Sequence, residues 1–332
     1  MEKNTWGNIF VLNSIVLSNG TLDEGKIVKR EILYKGNNGR FVERFYLTPT
    51  QSYIFKPLTN ETQIGKEVWI QKHILTYFPK MYPKIIAYSI NQNASENWMI
   101  FEDVGRIHHA FTRDLVKDVT KQMAWWHQFP IEPLQHAPLQ APKPQIEEIV
   151  EQVVEKKDEV LCFLAQFQIA KSRVDNLFSI VEGKVFTSDK VLSHGDLHCG
   201  NFGYAQGKMV ILDWEHAHLN IPYWDLFHLL DISHPVFPRT ISKDFRNDIL
   251  DLYCVEHGIS GYDIESFKLE YYIFSAVFSL WMLLLINQDL QVNHTIWTTE
   301  QLTGQLRESV SCFIQCLEEI EDNILYEECQ GR

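Results

Sequence analysis

The chain has 332 residues, 45% hydrophobic and 22% charged, with 16 Gly and 12 Pro; this balance can bury a sizeable core and fits disordered, collagen-like and disulfide-scaffold classes poorly. With 43 acidic against 30 basic residues the formal net charge is −13, so neither nucleic acid nor an anionic membrane is expected as a partner, because affinity for either comes from neutralising phosphates. The six cysteines form no C-x-x-C pair and read as reduced thiols of a cytoplasmic protein, and the opening Met1–Trp6 leads to no basic and apolar leader, so no secretory signal is expected.

From Ile27 to Lys56 three segments, VKREILYKG, RFVERFYLT and SYIFK, alternate with period two between Gly36-Asn37-Asn38-Gly39 and Thr48-Pro49-Thr50. They predict an antiparallel meander. Thr62 to Tyr77 spaces Ile64, Val68, Ile74 and Leu75 as a helix, with Thr62 as N-cap and Pro79 beyond its end. Two more strands are expected at Lys84–Ile90 and Asn97–Val104, around an Asn- and Ser-rich turn. A helix follows around Leu115–His127, then a connector from Pro130 to Pro144 with five prolines, read as an ordered surface loop. An amphipathic helical stretch should run from Ile146 to about Ile180, short strands and turns from Lys184 to Trp214, and helix after Asp225. The uncharged run Tyr271–Ile286 falls short of the ~20 residues that span a bilayer. Glu270 and Asp289 flank it, so a buried core helix is expected. The layout predicts an α+β fold: an N-terminal antiparallel-sheet lobe with one main helix over residues 1–102, and a larger, mostly helical lobe over 103–332.

The densest polar cluster is Ser193-His194-Gly195-Asp196-Leu197-His198-Cys199-Gly200-Asn201, followed by the apolar strand MVIL and by Asp213-Trp214-Glu215. Phosphoryl transfer needs these parts: a carboxylate to accept the proton of an attacking hydroxyl, and an amide oxygen plus a carboxylate to hold Mg²⁺ across nucleotide phosphates. Asp196 is the candidate base; Asn201 and Asp213 are the candidate metal ligands.

His194-x-Asp196 with Asn201 five positions on resembles the His-x-Asp-x-x-x-x-Asn catalytic loop of kinase-like folds. The fuller H-G-D-L-H-x-G-N with I-L-D-W-E resembles the aminoglycoside phosphotransferase and choline kinase family. The resemblance spans nearly the whole chain. It implies a bilobal protein-kinase-like fold and an ATP- and Mg²⁺-dependent kinase acting on a hydroxyl of a small molecule. On this resemblance Lys56 takes the place of the phosphate-binding lysine, Glu67 that of its ion-pair partner, and Gly36 and Gly39 belong to the phosphate loop. Backbone groups of Glu102, Asp103 and Val104 would meet adenine at the hinge. Ala124–His127 resembles the family's helical motif ahead of its insertion, and Tyr223-Trp224-Asp225-Leu226 its later Tyr-x-Asp-Leu segment.

The sequence also departs from the pattern. The Gly36–Gly39 segment lacks a full G-x-G-x-x-G and reads equally as an Asn-Gly hairpin turn. Asp213-Trp214-Glu215 replaces Asp-Phe-Gly and no Ala-Pro-Glu follows, so protein substrates are not expected. Cys199 stands where many relatives have Pro, and Asn220-Ile221 stands where a Gly-Asp pair is usual. His194 and His198 read as residues that fix the loop, Asp225 as one that holds a loop by accepting backbone hydrogen bonds, and Glu215 as undecided. The acidic balance, Trp224 and the aromatic Tyr271–Trp281 segment favour a cationic acceptor, an amino alcohol or aminoglycoside. Two other classes compete. One is a kinase-fold binding or structural protein of the spore-coat type, against which Lys56, Glu67, Asp196, Asn201 and Asp213 all stand intact. The other is a metal-dependent hydrolase using His194-x-Asp196-x-His198, against which Asn201 and Asp213 stand at kinase spacing.

Overall fold

Alternation along the first strands decides how the sheet is built. In the computed structural model, β1 (Lys29–Lys35), β2 (Phe41–Thr48), β3 (Gln51–Pro57), β4 (Ile85–Ser89) and β5 (Trp98–Glu102) form one sheet in the order β1-β2-β3-β5-β4. All its pairings are antiparallel, with Phe45 opposite Tyr53, Ile54 opposite Phe101 and Lys56 opposite Met99. One face buries Phe45, Tyr53, Phe55, Ala87, Trp98 and Ile100 with Leu12, Ile15 and Leu22. The other packs Ile54, Ile85, Met99 and Phe101 against Val68 of helix α1 (Lys66–His73). Each large apolar side chain so buried contributes about 1.5–3 kcal/mol, and a one-residue slip would turn both sets outward. Lys56, two residues after Ile54, therefore points to the helix face.

The structure describes residues 12, 14–36, 39–58, 60–139, 141–186, 189–261, 263–292 and 296–329. Met1–Trp6, Asn37 and Asn38 lie outside the described residues. The chain divides into two compact units, the first made of residues 1–109 and 201–216, the second of 110–200 and 217–332. The late piece of the first unit is a hairpin, β7 (Phe202–Ala205) and β8 (Lys208–Ile211). Its two central residues, Gln206 and Gly207, have φ of 51° and 74°, the type I′ geometry that matches strand twist. The Ile211 amide donates to the Met81 carbonyl and the His108 amide to that of Tyr204, which ties the hairpin to its unit.

Helix α1 starts later than the sequence suggests. Gly65 takes a left-handed conformation with φ 71°, so Glu61–Gln63 makes a single 3-10 turn capped by Asn60, and the α-helix begins at Lys66. Thr62 does not cap it.

The second unit holds α2 (Arg113–His127), α3 (Ile146–Glu155), α4 (Lys157–Ala165), α5 (Lys171–Val181), α6 (Tyr223–Leu230), α7 (Lys243–His257), α8 (Asp263–Gln291) and α9 (Thr299–Cys329). Strands β6 (Val191–Ser193) and β9 (His218–Asn220) form a two-stranded ladder. The single stretch expected from Ile146 to Ile180 is three helices, because Lys156 leaves helical geometry and Gln168 adopts φ 58°. In α8 every residue from Tyr271 to Leu280 is buried, with Phe278 against Trp224 and Phe227 of α6. A helix apolar all round belongs in a core, and this one fills that role as expected. Asp231, just after α6, makes a buried pair with Arg246 and also accepts from Tyr271 and Ser275.

Candidate active site

The first unit gathers charge around Lys56. Its Nζ lies 2.8 Å from Glu67 Oε2, 2.5 Å from Asp213 Oδ1 and 3.1 Å from Glu215 Oε2. Strand parity aims the lysine at α1, which carries Glu67, and the Trp214–His216 turn after β8 carries Glu215. Trp214 anchors that turn by packing edge-on against Phe78. Asp213 has φ 61°, a left-handed conformation that Asp tolerates better than most residues but at some strain. Asn201, buried at the start of the hairpin, accepts the Leu212 amide on its backbone carbonyl at 2.8 Å, so the ladder sets Asn201 beside Asp213.

Three carboxylates face one ammonium. Burial would discharge Lys56, yet Asp213, Glu215 and Glu67 outweigh it and hold its ammonium well above the usual lysine range. Burial, together with Asp213 and Glu215, pushes the Glu67 carboxyl up in spite of Lys56. One carboxylate oxygen from each of Glu67, Asp213 and Glu215 lies within 4.8 Å of the others. Hard oxygen ligands with surplus negative charge suit Mg²⁺. The sequence leaves Glu215 undecided; the acid-x-acid spacing from Asp213 was its signal.

Lys66 adds a titrating charge next to this set. Burial, partly offset by Glu215, brings it down to about 8. Between there and the unfolded value of about 10.4 the unfolded chain binds the extra proton, so stability rises with pH across that window. Lys66→Met should therefore be more stable than the parent at pH 7 by about 1–3 kcal/mol, with the gain shrinking towards pH 10. Urea unfolding at both pH values checks this; an unchanged midpoint at pH 7 would refute it.

The other residues expected at the nucleotide site are placed as follows. Gly36 and Gly39 close the β1–β2 turn, with the Gly36 amide on the Arg40 carbonyl and the Gly39 amide on that of Gly36. Asp103 is occupied by Arg44 at 2.6 Å, Ser52 at 2.7 Å and the Gly105 amide at 2.9 Å. Burial opposes its charge, but these donors keep its carboxyl below the usual range. The Glu102 side chain accepts the Lys84 amide, and its own amide donates to the Lys84 carbonyl. Val104 follows β5 outside regular secondary structure.

In the second unit the loop after β6 is hung from Asp225. This buried carboxylate accepts from Ser193 Oγ at 2.6 Å, the His194 amide at 2.7 Å and the Gly195 amide at 3.0 Å. His127 Nε2 reaches it at 3.1 Å, its other nitrogen meeting the Tyr253 hydroxyl. The loop-holding role expected of Asp225 is what the structure shows. Gly195, at φ 86°, makes a turn that a side chain would strain, and its carbonyl accepts from Trp224 Nε1. Asp196 follows, with 29% of its side chain exposed and His198 Nε2 at 3.6 Å. His198 Nδ1 accepts the Gly200 amide, so its proton sits on Nε2, facing Asp196. His234 stacks on His198 with centroids 4.6 Å apart. The sequence reading missed His234, His228 and Lys143, which only tertiary contact brings into this unit's polar cluster.

Residues 81–265 match the model of the phosphotransferase enzyme family. Among solved structures, choline kinase from Cryptosporidium parvum Iowa II is 14% identical, with 96% of this chain and 97% of that one covered and a TM-score of 0.56. A Ralstonia eutropha JMP134 protein put forward as an aminoglycoside phosphotransferase is 14% identical, with coverage of 96% and 98% and a TM-score of 0.60. The GDP complex of aminoglycoside 2'-phosphotransferase-IIIa is 14% identical, with coverage of 94% and 99% and a TM-score of 0.59. At such identity the likeness carries the fold, and the α+β fold expected from the sequence is the protein-kinase-like one. No curated protein matches the chain in sequence.

Proposed function

The chain belongs to the phosphotransferase enzyme family, as a small-molecule kinase, and on that premise we propose that it moves the γ-phosphoryl group of ATP, with Mg²⁺, to a hydroxyl of a small molecule. The observation that supports this best is the clamp on Lys56, an ammonium drawn to Glu67, Asp213 and Glu215 at once. Lys56 binds the α- and β-phosphates, and Glu67 orients it. Asp213, Asn201 and Glu215 would hold Mg²⁺, for which the surplus of carboxylate oxygens fits. When bound, the ion neutralises charge on the β- and γ-phosphate oxygens. Asp196 accepts the proton as the acceptor oxygen bonds to the γ-phosphorus and the bond to the β–γ bridging oxygen breaks, leaving a phosphate ester and ADP. Backbone of Glu102 to Val104 would meet the base, and Gly36 and Gly39 would cover the phosphates. Five described cysteines without disulfides support a cytoplasmic location. Of the aromatic residues that favoured a cationic acceptor, Trp224 and those from Tyr271 to Phe278 are buried in the core, whereas Trp281 is half-buried and donates its ring N–H to Gln152.

The test is a thermal-shift titration with ATP and with GTP, each with and without Mg²⁺. At a hundredfold excess over Kd, nucleotide should add about 2.7 kcal/mol of apparent stability. Asp213→Ala should remove the Mg²⁺-dependent part. No shift with either nucleotide would reject the reading and leave a binding or structural protein on this fold.

A further inference from the structure

Lys143 lies between Pro142 and Pro144, in the connector before α3. Proline fixes its own φ and confines the residue before it to extended geometry. The lysine backbone is thus preset, and little entropy is lost in presenting its side chain. The half-buried ammonium lies 2.8 Å from His228 Nε2 and 5.6 Å from the centroid of the Phe278 ring. His228 Nδ1 is 2.7 Å from the Trp224 carbonyl oxygen. A carbonyl can only accept, so Nδ1 carries the proton and Nε2 accepts from the ammonium. Burial pulls the Lys143 ammonium below the usual lysine range against the opposing pull of Asp196, and burial, with Lys143 next to it, keeps His228 well below the usual histidine range.

Among the described residues this is the one hydrogen bond of the ammonium, which leaves two N–H donors. Trp224, whose carbonyl holds His228, donates its ring N–H at 3.0 Å to the carbonyl of Gly195, the residue before Asp196, and Asp196 is the carboxylate that acts on the ammonium. The groups acting on neighbouring His234 are His198, Arg239 and Lys143, all nitrogen bases, against Asp196 alone. Burial and these neighbours bring His234 down to about 4. Asp225, which also acts on His228, is taken up by Ser193, two backbone amides and His127. An acceptor seated at Asp196 thus meets one carboxylate and a fixed cation. An ammonium group there would face like charge, whereas an acidic group would find two free donors.

We propose that Lys143 receives an acidic group of the phosphoryl acceptor, so that the acceptor is a hydroxyl compound bearing a carboxylate or a phosphate. The assignment rests on Asp196 being the base of a phosphotransferase. Lys143 selects and positions; it takes no proton and forms no bond in the transfer.

Two readouts on the purified full chain test it. The first, which needs no turnover, is the rate at which an acylating reagent labels Lys143, followed by peptide mass spectrometry. Glycerate, gluconate and glucose 6-phosphate should slow labelling, while glycerol, glucose, choline and kanamycin should not. The second is ADP release with the same compounds and Mg-ATP. Lys143→Met should raise the KM of the acidic acceptor roughly 10- to 100-fold with a smaller change in kcat, and Lys143→Arg should restore part of it. A lysine that merely docked its loop would show no such dependence on acceptor charge. Protection by choline or kanamycin, no protection by any acid, or an unmoved KM in Lys143→Met would overturn the proposal. Failure of the phosphotransferase reading is separate, since it shows as absence of the Mg²⁺-dependent nucleotide shift, and the labelling still decides whether Lys143 binds acids.

Discussion

Asp196→Asn is expected to lower kcat by about 100- to 10,000-fold, the usual contribution of a positioned general base, while the Mg-ATP thermal shift stays at the parent value. The substitution keeps size and shape and removes only the capacity to take a proton. The loop it sits on is fixed from elsewhere, since Asp225 holds residues 193–195 by side-chain and backbone donors and Gly195 is tied to Trp224. His198 meets Asp196 with a ring N–H, and an amide oxygen still accepts it. Steady-state ADP release and nucleotide shift, measured on one preparation, separate lost chemistry from lost structure. Full turnover in Asp196→Asn would remove Asp196 from the base role.

Asp225→Asn should be the most damaging substitution for the fold of the second unit, at about 3–5 kcal/mol, the range found when one partner of a buried charged network is removed. Four donors converge on two oxygens, and an amide would turn its NH₂ towards one of them. Burial alone would raise this carboxyl, but His127, His194 and Ser193 prevail and hold it well below the usual carboxylate range. For a carboxyl so lowered, the stability is present above the unfolded value of about 3.9 and is lost as pH falls through it towards the folded one. The Asn variant should therefore be weaker at neutral pH and show a shallower loss on acidification. Urea unfolding at pH 7 and pH 2 reads both. A loss under 1 kcal/mol at pH 7 would show that the network is dispensable. Because the same carboxylate places Asp196, kcat should fall as well.

Local patterns carried much of this structure. Alternation over residues 28–56 gave strands and also, through the parity of Ile54 and Lys56, the face on which the lysine lies. The run from Asn201 to Asp213 is short enough for spacing to report geometry, because one hairpin with a two-residue turn lies between them. The rest depends on meetings between distant residues. Glu215 reaches Lys56 across 159 positions, with only its spacing from Asp213 as a sign, and Lys143 reaches His228 across 85, with nothing in its neighbourhood to announce the contact. Trp224 and the aromatic residues from Tyr271 to Phe278 are buried, and because a core and a cation-binding wall use the same side chains, sequence alone does not separate the two. The breaks at Lys156 and Gln168 occur without Gly or Pro, so packing and not local propensity sets them.

The first unit draws its last strands from residues 201–216, after residues 110–200 have gone to the second. On a ribosome adding roughly 5–20 residues per second, Asp213 follows Lys56 by roughly 8–30 seconds. Until then the nascent lysine has only Glu67 for company, and the hairpin that docks on Met81 does not exist. The charge cluster at Lys56 is therefore assembled late in translation, and a chain arrested before Asp213 would carry the sheet without two of the three carboxylates that gather there.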